Sequence, residues 1–88
     1  MSGRGTWLTV ERVDSLSRRP SMVFVTGRLE GEPLHVGDSV IINDDAAGAT
    51  SAEIRSIEMH TAPGTVTIAL DANLKPLIRG GVVISRAG

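Results

Sequence analysis

The side chains able to do chemistry in this chain are few, and their spacing decides how much they can do together. Two histidines, His35 and His60, fall in different strand-end regions, and neither has a set of partners at metal-ligand spacing. Both are expected to be surface or hydrogen-bonded structural residues. Asp44 and Asp45 put two carboxylates side by side, but a calcium or magnesium loop needs further oxygen ligands in register, and none follows. Serine and histidine occur without a nucleophile elbow or an orienting acid, so no hydrolytic triad can be assembled. Gly3-Arg4-Gly5-Thr6 lacks both the preceding strand and the spacing of a phosphate-binding loop. No paired acid and base, metal cluster or activated nucleophile emerges, and the chain is expected not to be an enzyme and to need no cofactor and no metal.

The cationic residues offer binding rather than catalysis. Eight of the nine basic residues are arginine, the side chain suited to bidentate contact with phosphate or carboxylate. Arg18 and Arg19 adjoin Pro20 in a polar connection expected to be an exposed hairpin tip, which makes them either a solvated loop or a small cationic docking point. Arg28 lies on the mixed face of a strand, where it is either a cross-strand partner for Glu30 or Glu58 or a contact for RNA or a partner. The net charge of −1, with both signs interspersed, argues against non-specific grip on a polyanion.

These residues have to be positioned by strands. Residues 23–42, V-F-V-T-G-R-L-E-G-E-P-L-H-V-G-D-S-V-I-I, hold a strand, a tight reversal and a second strand. Val23, Val25, Gly27 and Leu29 point one way, and Phe24, Thr26, Arg28 and Glu30 the other. Gly27, inside the strand, is read as a bend. Pro33 has no N–H for a ladder, and Gly37-Asp38 makes a second turn. Upstream, residues 6–13 alternate as a first strand, with Trp7 as a core or rim plug and Leu16 as an inward anchor in the following connection. Residues 43–50 form a turn-rich loop. In residues 51–60 the apolar phase changes between Ala52, Ile54 and Ile57, Met59, which predicts a β-bulge near Arg55-Ser56, with Met59 in the core. Residues 65–70 and 82–86 are further strands, joined by an irregular connection over residues 71–78.

Sixteen valines and isoleucines against one Phe, one Trp and no Tyr suit pleated surfaces better than helices. The expected fold is all-β: a small closed or nearly closed antiparallel β-barrel of six or seven strands, Greek-key-like. Residues 1–5 are expected to be a disordered N-terminus and residues 6–88 a single barrel domain. With no cysteine, disulfides and thiolate metal sites are excluded. No apolar run approaches the roughly 20 residues that cross a bilayer. A cytoplasmic location and no membrane partner are the expectation.

Three pieces stand in an ordered set: V-T-G-R-L-E-G-E-P-L-H-V-G-D-S-V, then E-I-R-S-I-E-M-H, then P-G-T-V-T-I-A-L followed by I-R-G-G-V-V-I-S. Together they resemble the second domain, a small β-barrel, of elongation factor Tu and related translational GTPases, over roughly residues 6 to 88. In that family the domain carries no nucleotide chemistry, packs on a GTPase domain, touches the small ribosomal subunit and, in tRNA-delivering members, helps hold the aminoacyl end of tRNA. No G-x-x-x-x-G-K-S/T loop occurs in this sequence, so GTP hydrolysis by this chain is not expected.

The pieces that would carry tRNA contacts are altered. Of the family's acidic pair at the end of the first strand only Glu11 matches. Its glycine-rich hairpin is replaced by Arg19-Pro20-Ser21-Met22, and its adenosine-site loop is shortened to His60-Thr61-Ala62-Pro63-Gly64. The resemblance therefore implies a translation-related binding module for RNA, the ribosome, a GTPase or another protein. Its candidate contacts are Arg18, Arg19, Arg28 and Glu11. A protein–protein adaptor that keeps the barrel but has lost the tRNA site is the alternative.

Overall fold

Alternating β-branched residues build strands because their branched side chains pack on a pleated surface, and the chain follows that rule almost throughout. The computed structural model describes residues 5–44 and 48–87. The expectations for Met1 to Arg4 and for Asp45 lie outside the described residues. Among the described residues seven strands are present: β1 (Thr6–Ser15), β2 (Met22–Gly31), β3 (Ser39–Asp44), β4 (Gly48–Glu53), β5 (Ser56–Met59), β6 (Thr65–Asp71) and β7 (Val83–Arg86), with a 3-10 helix, Ala72–Leu77, between the last two. They form one sheet in the order β4-β3-β7-β1-β2-β6-β5. Every pairing is antiparallel.

The sheet curls into a half-barrel around one apolar core. Leu8, Val10, Val23, Val25, Val40, Ile42, Ile68, Leu70 and Ile84 are almost fully buried, and all lie on the concave side. The two edge strands, β4 and β5, are consecutive in the chain. Ile54 and Arg55 turn the corner between them: the Ile54 N–H donates to the Asp38 carbonyl at 3.0 Å, the Gly37 N–H to the Ile54 carbonyl at 2.8 Å, and the Arg55 N–H to the Ala69 carbonyl at 2.8 Å. Ile54 is fully buried, so the corner is pinned from both the core and the backbone.

The phase change seen in residues 51–60 is therefore this corner, not a bulge within one strand. The bulge lies in β1, where the register against β2 shifts between Val10 and Arg12. Glu11 is the extra residue. It turns the alternation over, so that Val10 faces the core opposite Gly27, Arg12 faces outward opposite Thr26, and Val13 returns inward opposite Val25. Gly27 sits across from this irregularity. A Cβ built on it would collide with the Thr9 carbonyl oxygen and lie 2.9 Å from that carbonyl carbon. Close approach of two backbones, rather than a bend, is what excludes a side chain at Gly27.

Turn chemistry closes the remaining connections. Gly37 has φ of +94°, in the left-handed region where a Cβ is strained, and the Asp38 carboxylate accepts from the His35 N–H at 2.8 Å across that turn. Arg86 at the end of β7 ties the same loop down, with its guanidinium 2.8 Å from Glu32 Oε1 and donating to the Pro33 carbonyl at 3.2 Å. Three expectations are corrected here. Residues 43–50 are largely hairpin strand, because Asn43 and Asp44 pair with Ala49 and Gly48. Met59 is 72% exposed because β5 is an edge strand, and among the described residues no strand pairs with its outer flank. Leu16 is 49% exposed rather than an inward anchor.

Candidate binding surface

The convex face of β1, β2, β6 and β5 carries the polar side chains that alternation turned away from the core. Cross-strand register arranges them in rows. Arg12, Thr26, Thr67 and Glu58 form one row, and Asp14, Phe24, Ala69 and Ser56 the next. Thr9, Arg28 and Thr65 form a third, on the other side of the first. The insertion at Glu11 produces this face: without it Arg12 would share the side of Leu8 and Val10.

A depression of about 280 Å³ is lined by Arg12, Asp14, Ser15, Leu16, Phe24, Thr26, Glu58, His60 and Thr67. A second, of about 480 Å³, is lined by Leu16, Arg18, Arg19, Phe24, Ser56 and Glu58. Leu16, Phe24 and Glu58 belong to both, so the two form one groove with a hydrophobic floor at its middle. The β1–β2 connection holds Arg18 and Arg19 at one end of it. That connection is stiffened by the Arg19 N–H donating to the Leu16 carbonyl at 3.0 Å and the Met22 N–H to the Arg19 carbonyl at 3.1 Å.

The groove's polar groups differ in how far they are committed. Arg12 Nε donates to Asp14 Oδ2 at 2.9 Å, so this pair largely neutralises itself. Thr26 and Thr67, though on the convex face, are only 6% and 8% exposed. Their hydroxyls lie 2.7 Å apart, and Thr67 Oγ1 is also 2.7 Å from His60 Nε2. A hydroxyl carries one proton, so the Thr26-Thr67-His60 chain runs in one direction, and the tautomer of His60 sets which. Burying such hydroxyls without partners would be costly. Arg18, Arg19 and Glu58 make no ion pair among the described residues.

Of the residues singled out from sequence, Arg18 and Arg19 come together in the groove. Arg28 is on the same convex face, two residues along β2 from Thr26, which is about 7 Å of extended chain. It is exposed, opposite Thr9 and Thr65, and pairs with neither expected acid: Glu30 stands across from Trp7, and Glu58 across from Thr67. Glu11 is exposed at the bulge and does not line the groove. Trp7 is 37% exposed and sits on the convex side, between buried Thr6 and Leu8, rather than plugging the core. His35 is exposed, with Nδ1 3.7 Å from the Asp38 carboxylate. Among the described residues no three histidine or acidic side chains converge as a metal site would require.

Sequence reasoning missed Phe24, Leu16, Glu58 and Thr67 as site residues. Phe24 left a signal, a large aromatic on the mixed face of an amphipathic strand; Leu16 comes with the β1–β2 connection that carries Arg18 and Arg19, and Glu58 and Thr67 are brought in only by the pairing of β2 with β6 and of β6 with β5. Comparison with protein-family models, with curated proteins and with solved structures finds no match to this chain.

Proposed function

We propose that this chain is a non-catalytic binding module, a closing barrel of the kind that forms the second domain of elongation factor Tu and related translational GTPases, and that its convex groove binds single-stranded RNA of the translation apparatus. One observation carries the reading: Phe24 and Leu16 form an apolar floor beside Arg18 and Arg19, with Arg28 on the same face of the sheet. Single-stranded nucleic acid is held by this combination, a surface on which bases stack and guanidiniums that track the backbone. The ordered sequence resemblance supports the translational setting.

Three guanidiniums set the scale of the effect. Neutralising about three phosphates of a single strand gives a slope of log K against log salt of about −2, at roughly −0.7 per phosphate. Fluorescence anisotropy with a labelled single-stranded RNA, across a salt series, measures it. The combined Arg18→Ala and Arg19→Ala variant should flatten the slope by more than one unit and leave the circular dichroism spectrum unchanged. Affinity without salt dependence, or unaltered in that variant, removes RNA from the groove. The acids Asp14 and Glu58 on the same face then favour the protein–protein adaptor.

A further inference from the structure

Strand β5 is the outermost strand on its side of the sheet and, among the described residues, pairs only with β6. The hydrogen-bond phase of this edge follows from three bonds. The His60 N–H donates to the Thr65 carbonyl at 3.3 Å, while on the other side of β6 the Leu29 N–H donates to the Gly64 carbonyl at 2.7 Å and the Ala72 N–H to the Ser21 carbonyl at 3.0 Å. Odd-numbered residues of β6 therefore face β5, and Ser56, Glu58 and His60 answer them. Ile57 and Met59 occupy the alternate positions, whose N–H and C=O point away from β6.

The same two residues carry their side chains on the core side. Ile57 stands opposite Ile68, and Met59 opposite Val66, both of them buried. Ile57 is half-buried and Met59 is 72% exposed. The edge thus presents free backbone groups and uncovered core-side apolar groups together, where the next strand of a continuing sheet would lie. Between them Glu58 faces the convex side, exposed and without an ion pair among the described residues. Of the devices that blunt a free edge, Ser-Ile-Glu-Met has its shortness, four residues, and the single charge of Glu58; it has no lysine, no proline and a regular register.

We propose that β5 accepts an extended peptide as an eighth strand, a peptide with apolar residues at alternate positions and a lysine or arginine between them. Main-chain hydrogen bonds to Ile57 and Met59 supply affinity, and alternate side chains supply selectivity. The apolar residues cover Ile57 and Met59 and extend the core past its present edge. The basic residue lies beside Glu58 on the convex face, as a cross-strand partner of opposite charge. Arg18 and Arg19 line the groove with Glu58 and favour a peptide with no second basic residue towards the β1–β2 turn. The proposal does not depend on RNA binding in the groove.

The probe is an acetylated, amidated hexapeptide with valine at alternate positions and, between them, a single lysine and otherwise threonine, with the same hexapeptide carrying glutamate in place of that lysine as its counterpart. Both are titrated into the isotope-labelled full chain by NMR. The lysine peptide should shift the Ile57 and Met59 amides and slow their exchange with solvent. Met59→Pro removes an outward N–H but no bond to β6, and should weaken binding at least tenfold. Met59→Ser keeps that N–H and loses the apolar contact, and should weaken it several-fold even if the proline variant does not fold. Glu58→Lys should reverse the preference in favour of the glutamate peptide. The combined Arg18→Ala and Arg19→Ala variant should still bind the lysine peptide, which separates this edge from the groove. Unmoved Ile57 and Met59 amides at millimolar peptide would overturn the proposal, as would equal affinity in Met59→Ser or the same preference in Glu58→Lys.

Discussion

Replacing Thr67 by valine keeps the shape of the side chain and removes one hydroxyl, which makes it a clean probe of the buried chain on the convex face. That hydroxyl serves two partners, Thr26 Oγ1 and His60 Nε2, each at 2.7 Å. His60 is exposed and can turn to water. Thr26 is 6% exposed and cannot. A buried polar group left without a partner loses about 1–3 kcal/mol, so Thr67→Val should destabilise the fold by about that much. Thr26→Val is milder: Thr67 keeps His60, and the loss is one net hydrogen bond, about 0.5–1.5 kcal/mol. In the double variant no hydroxyl is stranded, two valines face each other across β2 and β6, and the total cost should fall below that of Thr67→Val alone. The cycle should therefore show a coupling of about 1 kcal/mol or more. Urea unfolding followed by circular dichroism measures it, with a Tm difference of roughly 4–8 °C per kcal/mol as an independent reading. If the two substitutions add within about 0.3 kcal/mol, the hydroxyls are not bonded to each other and the reasoning fails.

Two other substitutions test the frame around this face. Gly27→Ala drives a methyl into the Thr9 carbonyl beside the bulge and should lower stability by about 1–3 kcal/mol, the usual range for overpacking, read as a fall in the urea midpoint; an unchanged midpoint would mean that β1 and β2 are not so close there. Arg86→Ala cuts the ties to Glu32 and the Pro33 carbonyl, which are partly exposed, so global stability should fall by no more than about 1 kcal/mol, while amide exchange in residues 32–38 accelerates; uniform acceleration over the whole sheet would instead make Arg86 a global determinant.

The convex face illustrates how one inserted residue can make a surface. Strand alternation alone assigns Arg12 to the side of Leu8 and Val10, where a guanidinium would meet the core. Placing Glu11 out of register carries Arg12 and Asp14 to the outside together, and their mutual ion pair follows from sharing a face two residues apart. Gly27 is the complementary part of the device, since only a residue without a Cβ lets β2 lie against β1 there.

Local chemistry in the chain was enough to determine the strand content, the antiparallel sense of the sheet and most of the core, because alternation with period two and the turn preferences of glycine and proline act between near neighbours. The exposed setting of Arg18, Arg19 and Arg28 was legible for the same reason. Strand order decided what alternation could not. Met59 carries its side chain on the core side and is nonetheless exposed, because β5 has a neighbour on one flank only. Leu16, Phe24, Thr67 and Glu58 meet in one groove only through pairings that join distant parts of the chain. The phase change at Ile54 and the one at Glu11 are alike in sequence, yet one is a corner and the other a bulge. Telling them apart requires the partner strand, since an extra residue is extra only relative to the residues opposite it.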